Sequence, residues 1–187
     1  WPQILVTTSR QVGKSTVMRE IAMDRMTSFE QYGEEQLVLL LAKDMSISNE
    51  IQRPLRQYAQ RMGAPWQPIN SNGAWAIHYG ETGRWLVRSM AGVYGYSCSL
   101  ALCDEVWDID PDAITEGIEP TQVEREQAQL QLYSTAHSKA KPLFPLRRKK
   151  AIEQLRQPVD LLIMEWSAPP NAIVEDVAAH RAASPHW

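Results

Sequence analysis

Short, strongly apolar runs recur along the chain and end in polar or acidic residues. This pattern restricts the possible fold more than any other feature. Residues 4–8, 37–42, 100–103, 129–134 and 161–165 are such runs. Most lack the polar alternation of a half-exposed sheet, so they read as parallel strands covered on both faces. Between them the apolar spacing is helical. Residues 15–26 and 146–155 are expected to be helices, as is the stretch carrying Ile47, Ile51, Leu55, Tyr58 and Met62. Pro54 is expected to bend that last helix or delay its start. Residues 64–72 read as a loop from their Pro and Asn content. Residues 75–79 and 84–88 flank Gly80-Glu81-Thr82-Gly83 and read as a β-hairpin. The expected class is α/β: a mainly parallel central sheet flanked by helices, with a β-hairpin insertion.

The chain has 187 residues, enough for one domain with its own core. Residues 1–170 form the expected domain, and 171–187 a tail or the start of a linker. The formal charge of −3 argues against a protein that coats nucleic acid, while leaving room for a local basic patch. No apolar run is long enough to cross a bilayer, so no membrane role is expected. The opening Trp1-Pro2-Gln3-Ile4, without Met, reads as an excised piece of a longer protein. Cys98 and Cys103 are too few for a disulfide scaffold and are expected to be buried, inert thiols in a reducing compartment.

Chemistry first enters after the opening strand. Thr8-Ser9-Arg10-Gln11-Val12-Gly13-Lys14-Ser15-Thr16 lies between a strand and a helix. A helix N-terminus there turns free N–H groups and a positive dipole end toward an anion. Gly13 lets the backbone approach phosphates, Lys14 is placed to reach the β and γ oxygens, and the Ser15 hydroxyl to ligate Mg²⁺. Thr8 stands where the phosphate-loop pattern has its first glycine.

A phosphate loop needs a carboxylate delivered from a neighbouring buried strand. Ser99-Leu100-Ala101-Leu102-Cys103-Asp104-Glu105 supplies a pair. Asp104 is expected to contact Mg²⁺ through water, and Glu105 to polarise the attacking water as general base. Two other metal patterns are set aside. Cys98, Cys103, His78 and His137 lack zinc-site spacing. Asp108, Asp110, Asp112 and Glu119 follow calcium-loop spacing, but Ala113 replaces the essential glycine and Pro111 interrupts the loop. A solvated acidic loop is the simpler reading.

These residues resemble a known family. Ser9-Arg10-Gln11-Val12-Gly13-Lys14-Ser15 is similar to the glycine-poor phosphate loop of the large terminase subunits of tailed bacteriophages. Asp104-Glu105 resembles that family's metal-binding aspartate and catalytic glutamate. Ser134-Thr135-Ala136 resembles its coupling motif. The resemblance runs over residues 4–165 and implies a P-loop NTPase of the additional-strand, catalytic-glutamate class. It implies Mg²⁺-dependent ATP hydrolysis driving double-stranded DNA into a viral procapsid, with Arg10 acting on the γ-phosphate in cis. The implied partners are DNA, the portal protein, the small terminase subunit and further copies in a ring, although an isolated domain could be monomeric. The implied place is the host cytoplasm. The family's nuclease domain, with its acidic cluster, finds no counterpart after Pro170.

Two questions stay open at this stage. An arginine inserted by a neighbouring subunit has Arg84 and Arg88 as weak candidates, exposed strand charge being the simpler reading. DNA contact has Arg147, Arg148, Lys149 and Lys150, inside a segment 139–156 whose many cations face Glu153 alone, whereas the charges of 104–126 are acidic apart from Arg125. That segment reads equally as a DNA track, a solvated helix face or a subunit contact. Trp66, Trp75, Trp85 and Trp107 could stack on bases, with core packing and strand pairing the commoner uses. The first motor domain of a helicase and a non-hydrolysing nucleotide-binding module are the alternative functions.

Overall fold

The computed structural model describes residues 1–42, 44–71, 74–89, 92–157 and 159–185, with Ala74 as backbone only. In chain order the elements are β1 (Gln3–Thr7), α1 (Lys14–Thr27), α2 (Phe29–Tyr32), β2 (Gln36–Ala42) and α3 (Met45–Met62). There follow β3 (Trp66–Ser71), β4 (Ala74–Tyr79), β5 (Gly83–Ser89), β6 (Leu100–Cys103) and β7 (Gln129–Ser134). Last come α4 (Leu143–Glu153), β8 (Leu161–Glu165) and the short α5 (Val177–Ala182). Irregular helical turns fill 106–122 between β6 and β7.

The eight strands form one sheet in the order β3-β4-β5-β2-β6-β7-β1-β8. From β5 to β8 every neighbouring pair is parallel, and β4 runs antiparallel to both β3 and β5. Strand β7 separates β1 from β6. Because β1, β7 and β6 are parallel, the loops leaving their C-terminal ends lie side by side. Thr7 is in register with Ser134, and Cys103 with Leu132.

The central strands alternate their apolar side chains between two cores. From β2, Val38 and Leu40 point to one face and Leu37, Leu39 and Leu41 to the other. The first face is covered by α1, through the stripe Met18, Ala22 and Met26, and by α3, through Ile51, Leu55 and Ala59. These positions recur every four residues, which places them along one side of a helix. The opposite face is covered by Ile114 and Ile118 of the irregular turns and by Leu143, Phe144 and Ala151 of α4. Both cysteines are buried, and burial pushes the Cys98 thiol up to about 12 and raises Cys103 as well. They are packing residues.

Several expectations need correction. Residues 66–71 are a strand, not loop; Asn72, the end of that expected loop, lies outside the described residues. Trp66 holds the strand by edge contacts with Tyr79 at 4.7 Å and Tyr58 at 5.9 Å between ring centroids. Pro68 is tolerated because β3 is an edge strand. Helix α3 runs unbroken through Pro54, capped at its start by Asp44, whose carboxylate accepts from the Ser46 N–H at 2.8 Å. The buried Ile51, Leu55 and Ala59 outweigh the one hydrogen bond that proline removes. Helix α4 starts three residues earlier than expected and ends at Glu153, because Leu143 and Phe144 are core residues. The hairpin is β4–β5 and belongs to the main sheet. In the tail, α5 buries Ala179, while His186 and Trp187 lie outside the described residues. No helix among the described residues is long and apolar enough to cross a membrane.

Candidate nucleotide site

The loop between β1 and α1 is built to accept an anion. Gly13 sits at φ 86°, and its carbonyl accepts from the Thr16 and Val17 N–H groups at 2.9 and 3.1 Å. A side chain at this φ would be strained, so the tight entry into α1 needs glycine here. Gln11 also adopts a positive φ, 59°. No side chain caps α1 and no acid occupies its first turn. The helix therefore presents uncompensated N–H groups and a positive end.

Across from this loop stand the two acids that follow β6. Arg10, Gln11, Val12, Gly13, Lys14 and Ser15 line one cleft of about 340 Å³ together with Asp104 and Glu105. Segments far apart in the chain thus share a site, as the parallel order β1, β7, β6 requires. Thr16 lies one residue further into α1 and is exposed; its hydroxyl accepts from Arg19 at 2.8 Å. Ser9 joins through its carbonyl, which accepts from Lys14 Nζ at 3.2 Å.

The acids differ in their surroundings. Asp104 is buried, with its N–H donated to the Leu41 carbonyl at 2.9 Å. Burial, then the neighbouring Glu105, raise its pKa, while the Glu105 N–H bond and Lys14 pull it back. Glu105 is less buried and adopts a left-handed backbone, φ 52° and ψ 45°. That conformation is uncommon outside glycine and asparagine and concentrates at functional sites. One of its carboxylate oxygens, Oε2, accepts a hydrogen bond from the indole N–H of Trp107.

The end of β7 closes the arrangement. Lys14 Nζ donates to Thr135 Oγ1 at 3.0 Å, tying the start of α1 to the expected coupling segment. Ser134 is fully buried, and its Oγ accepts from the Trp107 N–H at 3.1 Å. Ala136 lines an adjoining cavity of about 420 Å³ with Thr7, Thr8, Ser9 and Thr135. Thr8, in the place of a glycine, is buried, and its hydroxyl has no partner among the described residues.

A second groove, about 310 Å³, shares Val12 and Lys14 with the acidic cleft. Val6, Val17, Ile21, Met164 and Trp166 make it mainly apolar. Val17 and Met164 are exposed along it.

For metal, no cluster of three or more His, Cys, Asp or Glu exists among the described residues, so no all-protein cage is present there. A buried, poorly compensated Asp104 beside Glu105 and the Ser15 hydroxyl fits the donor set of Mg²⁺. That ion keeps its waters and takes its other ligands from phosphate. Asp108 and Asp110 are instead engaged by Lys141, at 3.6 and 2.9 Å.

The expected arginines separate by position. Arg10 is exposed at the mouth of the cleft. Arg88 lies at the same end of the sheet, in register with Leu41, and its Nε donates to the Tyr96 hydroxyl at 2.8 Å. Arg84 lies at the opposite end, paired with His78 across the hairpin. The cationic segment is largely committed within the chain. Arg147 bonds Gln3 at 2.7 Å and Glu119 at 2.5 Å, Arg148 grips both oxygens of Glu165 at 2.6 and 2.7 Å, and Lys150 pairs with Asp160 at 2.7 Å. Among the described residues Lys149 has only an exposed, 3.9 Å pair with Glu153. The acidic and basic segments therefore meet in part, through Arg147–Glu119 and Lys141–Asp110, and are not wholly separate patches.

The tryptophans divide as well. Trp85 is core, Trp66 pairs across strands, and Trp75 lies under Arg56 at 4.0 Å. The contact of Trp107 with Glu105 was not legible beforehand; its only trace is an indole two residues after the acid.

No protein-family model matches the chain, and neither does any curated protein. Among solved structures, the large terminase of bacteriophage HK97 superposes with a TM-score of 0.82 at 17% identity, over all of this chain and 40% of that one. The large terminase of a thermophilic bacteriophage, in complex with ATP-gamma-S, gives 0.62 at 16% identity over 89% of this chain and 39% of that one. The N-terminal domain of the DNA packaging ATPase from bacteriophage phi29 gives 0.57 at 17% identity over 86% and 88%. The chain thus spans about two fifths of the length of the two terminases. Its fold is that of these terminase structures, with β7 lying between β1 and β6.

Proposed function

We propose that this chain is the ATPase part of a large terminase and hydrolyses ATP to drive double-stranded DNA into a procapsid. The observation that carries this reading is the single cleft lined by residues 10–15 together with Asp104 and Glu105. In it, Gly13 and the start of α1 bind the phosphates, with Lys14 on the β and γ oxygens. Arg10, exposed at the mouth, supports charge on the γ-phosphate. Ser15 and Asp104 would hold Mg²⁺, which neutralises phosphate charge when bound. Glu105 accepts a proton from the attacking water, using the carboxylate oxygen that Trp107 leaves open. Thr135, bonded to Lys14, is placed to register loss of the γ-phosphate. The apolar groove beside Val12 suits the nucleobase. Portal, small subunit, ring neighbours and host cytoplasm follow from the same reading.

Two substitutions test it. Lys14→Ala is expected to abolish ATP binding, measured by calorimetry. Glu105→Gln is expected to keep binding and lose turnover by about a hundredfold or more. Wild-type turnover in Glu105→Gln would remove the base assignment. The helicase reading predicts duplex unwinding by the parent protein without a procapsid. A degraded binding module predicts tight ATP binding with no phosphate release from the wild type.

A further inference from the structure

Trp107 is held from four directions. Its backbone N–H donates to Ser134 Oγ at 3.1 Å, and its carbonyl accepts from the Lys141 N–H at 2.7 Å. Its ring stacks on His137, with centroids 4.0 Å apart and planes 18° from parallel. The imidazole is itself fixed, since His137 Nδ1 accepts from the Lys139 N–H at 3.1 Å. The fourth contact is the indole N–H on Glu105 Oε2. Three of these four partners belong to residues 134–141, which run on from the last residue of β7 and include Thr135, the partner of Lys14. The fourth is the residue expected to activate water.

An indole N–H is a donor with no acceptor role, so it holds a carboxylate oxygen without competing for the proton that a base must take. Glu105 Oε1 makes no hydrogen bond among the described residues and is left for water. Glu105 also sits on a left-handed backbone, a conformation that persists only where neighbouring groups anchor it. A stacked indole with both backbone groups bonded is such an anchor.

We propose that Trp107 is the positioning residue of Glu105, and that it passes movement of the segment after β7 to the base. This rests on the ATPase reading above. When Thr135 and Lys14 rearrange around phosphate, Ser134 and His137 shift with the same short segment, and Trp107 carries the Glu105 carboxylate with them. Phosphate state and base geometry are then coupled through one side chain.

The test uses Trp107→Phe, which keeps a ring for His137 and removes only the donor. Single-turnover hydrolysis by this chain is expected to slow about tenfold, the worth of one oriented hydrogen bond, while ATP affinity stays at the wild-type value. A purely structural tryptophan would instead lower thermal stability and affinity together, or change nothing. Either result overturns the proposal. A second measurement does not depend on turnover. The Trp107 indole proton resonance, identified by its loss in Trp107→Phe, is expected to move upfield in Glu105→Ala and to shift when ATP binds to the wild type. An indole resonance indifferent to both overturns the proposal. Failure of the ATPase reading would look different: the wild type would release no phosphate while the indole resonance still reported the Glu105 contact.

Discussion

Asp104 is a buried carboxylate whose surroundings oppose its charge. Burial and Glu105 both oppose its ionised form, and Lys14 offsets them only in part. Its folded pKa is therefore raised above the unfolded value of 3.8. A raised carboxylate leaves the nucleotide-free fold unpenalised at acid pH, where both states are protonated. The penalty grows once the unfolded state ionises and is complete above the folded pKa. Asp104→Asn removes the charge while retaining an oxygen for the Glu105 N–H. It is expected to raise the melting temperature of the free protein at neutral pH, with the difference vanishing as pH falls below the usual carboxylate range. Thermal melts across that range, without nucleotide or Mg²⁺, check this. A lower melting temperature at neutral pH would mean that Asp104 is already compensated. With ATP and Mg²⁺ added, the order should reverse, because only the wild type gains the metal contact.

At the scale of elements, the sheet places the chemistry and two close contacts tune it. Gly83 opens β5 directly against the last turn of α1: a Cβ there would lie 2.3 Å from the Met26 carbonyl oxygen. Backbone cannot yield as a side-chain tip can, so Gly83→Ala is expected to destabilise the fold by about 2 kcal/mol, read by denaturant melts. The other contact joins β8 to β1, where the Trp166 N–H donates to the Thr7 carbonyl at 2.9 Å and the indole lines the apolar groove. If that groove takes the base, Trp166→Ala weakens ATP about tenfold and leaves inorganic triphosphate binding unchanged. Equal effects on both ligands would move the base elsewhere. The elements were legible in the sequence where their signal was local. Apolar runs named β1, β2, β6, β7 and β8, and Gly13-Lys14-Ser15 and Asp104-Glu105 each come after one of these strands. What escaped depended on distant partners. Strand β3 carries Pro68 and Asn70 and is held by Tyr58 and Tyr79 from other elements. Trp107 takes its role from His137, on the far side of β7 in the chain.

For the molecule as a whole, charge along the chain proved a poor map of charge on the surface. The cationic segment folds back on acids of β8, of the 106–122 turns and of the residues before β8, so most of its charge is neutralised internally. This sorts the DNA hypothesis by residue. Reversal at Arg148 breaks a two-bond grip on Glu165 and leaves two carboxylates facing each other, so Arg148→Glu is expected to lower the melting temperature whatever its effect on DNA. Lys149 is different: its pair with Glu153 is long and both side chains are exposed, so it contributes little to the fold. If this face of α4 tracks a DNA backbone, Lys149→Glu is expected to weaken binding to duplex of any sequence. Every phosphate deprived of its cation reduces the slope of log affinity against log salt by about 0.9. The melting temperature should stay at the wild-type value. Fluorescence anisotropy over a series of salt concentrations measures that slope. An unchanged slope in Lys149→Glu would exclude α4 from the DNA surface, since its other cations, Arg147, Arg148 and Lys150, are each held by an acid of this chain.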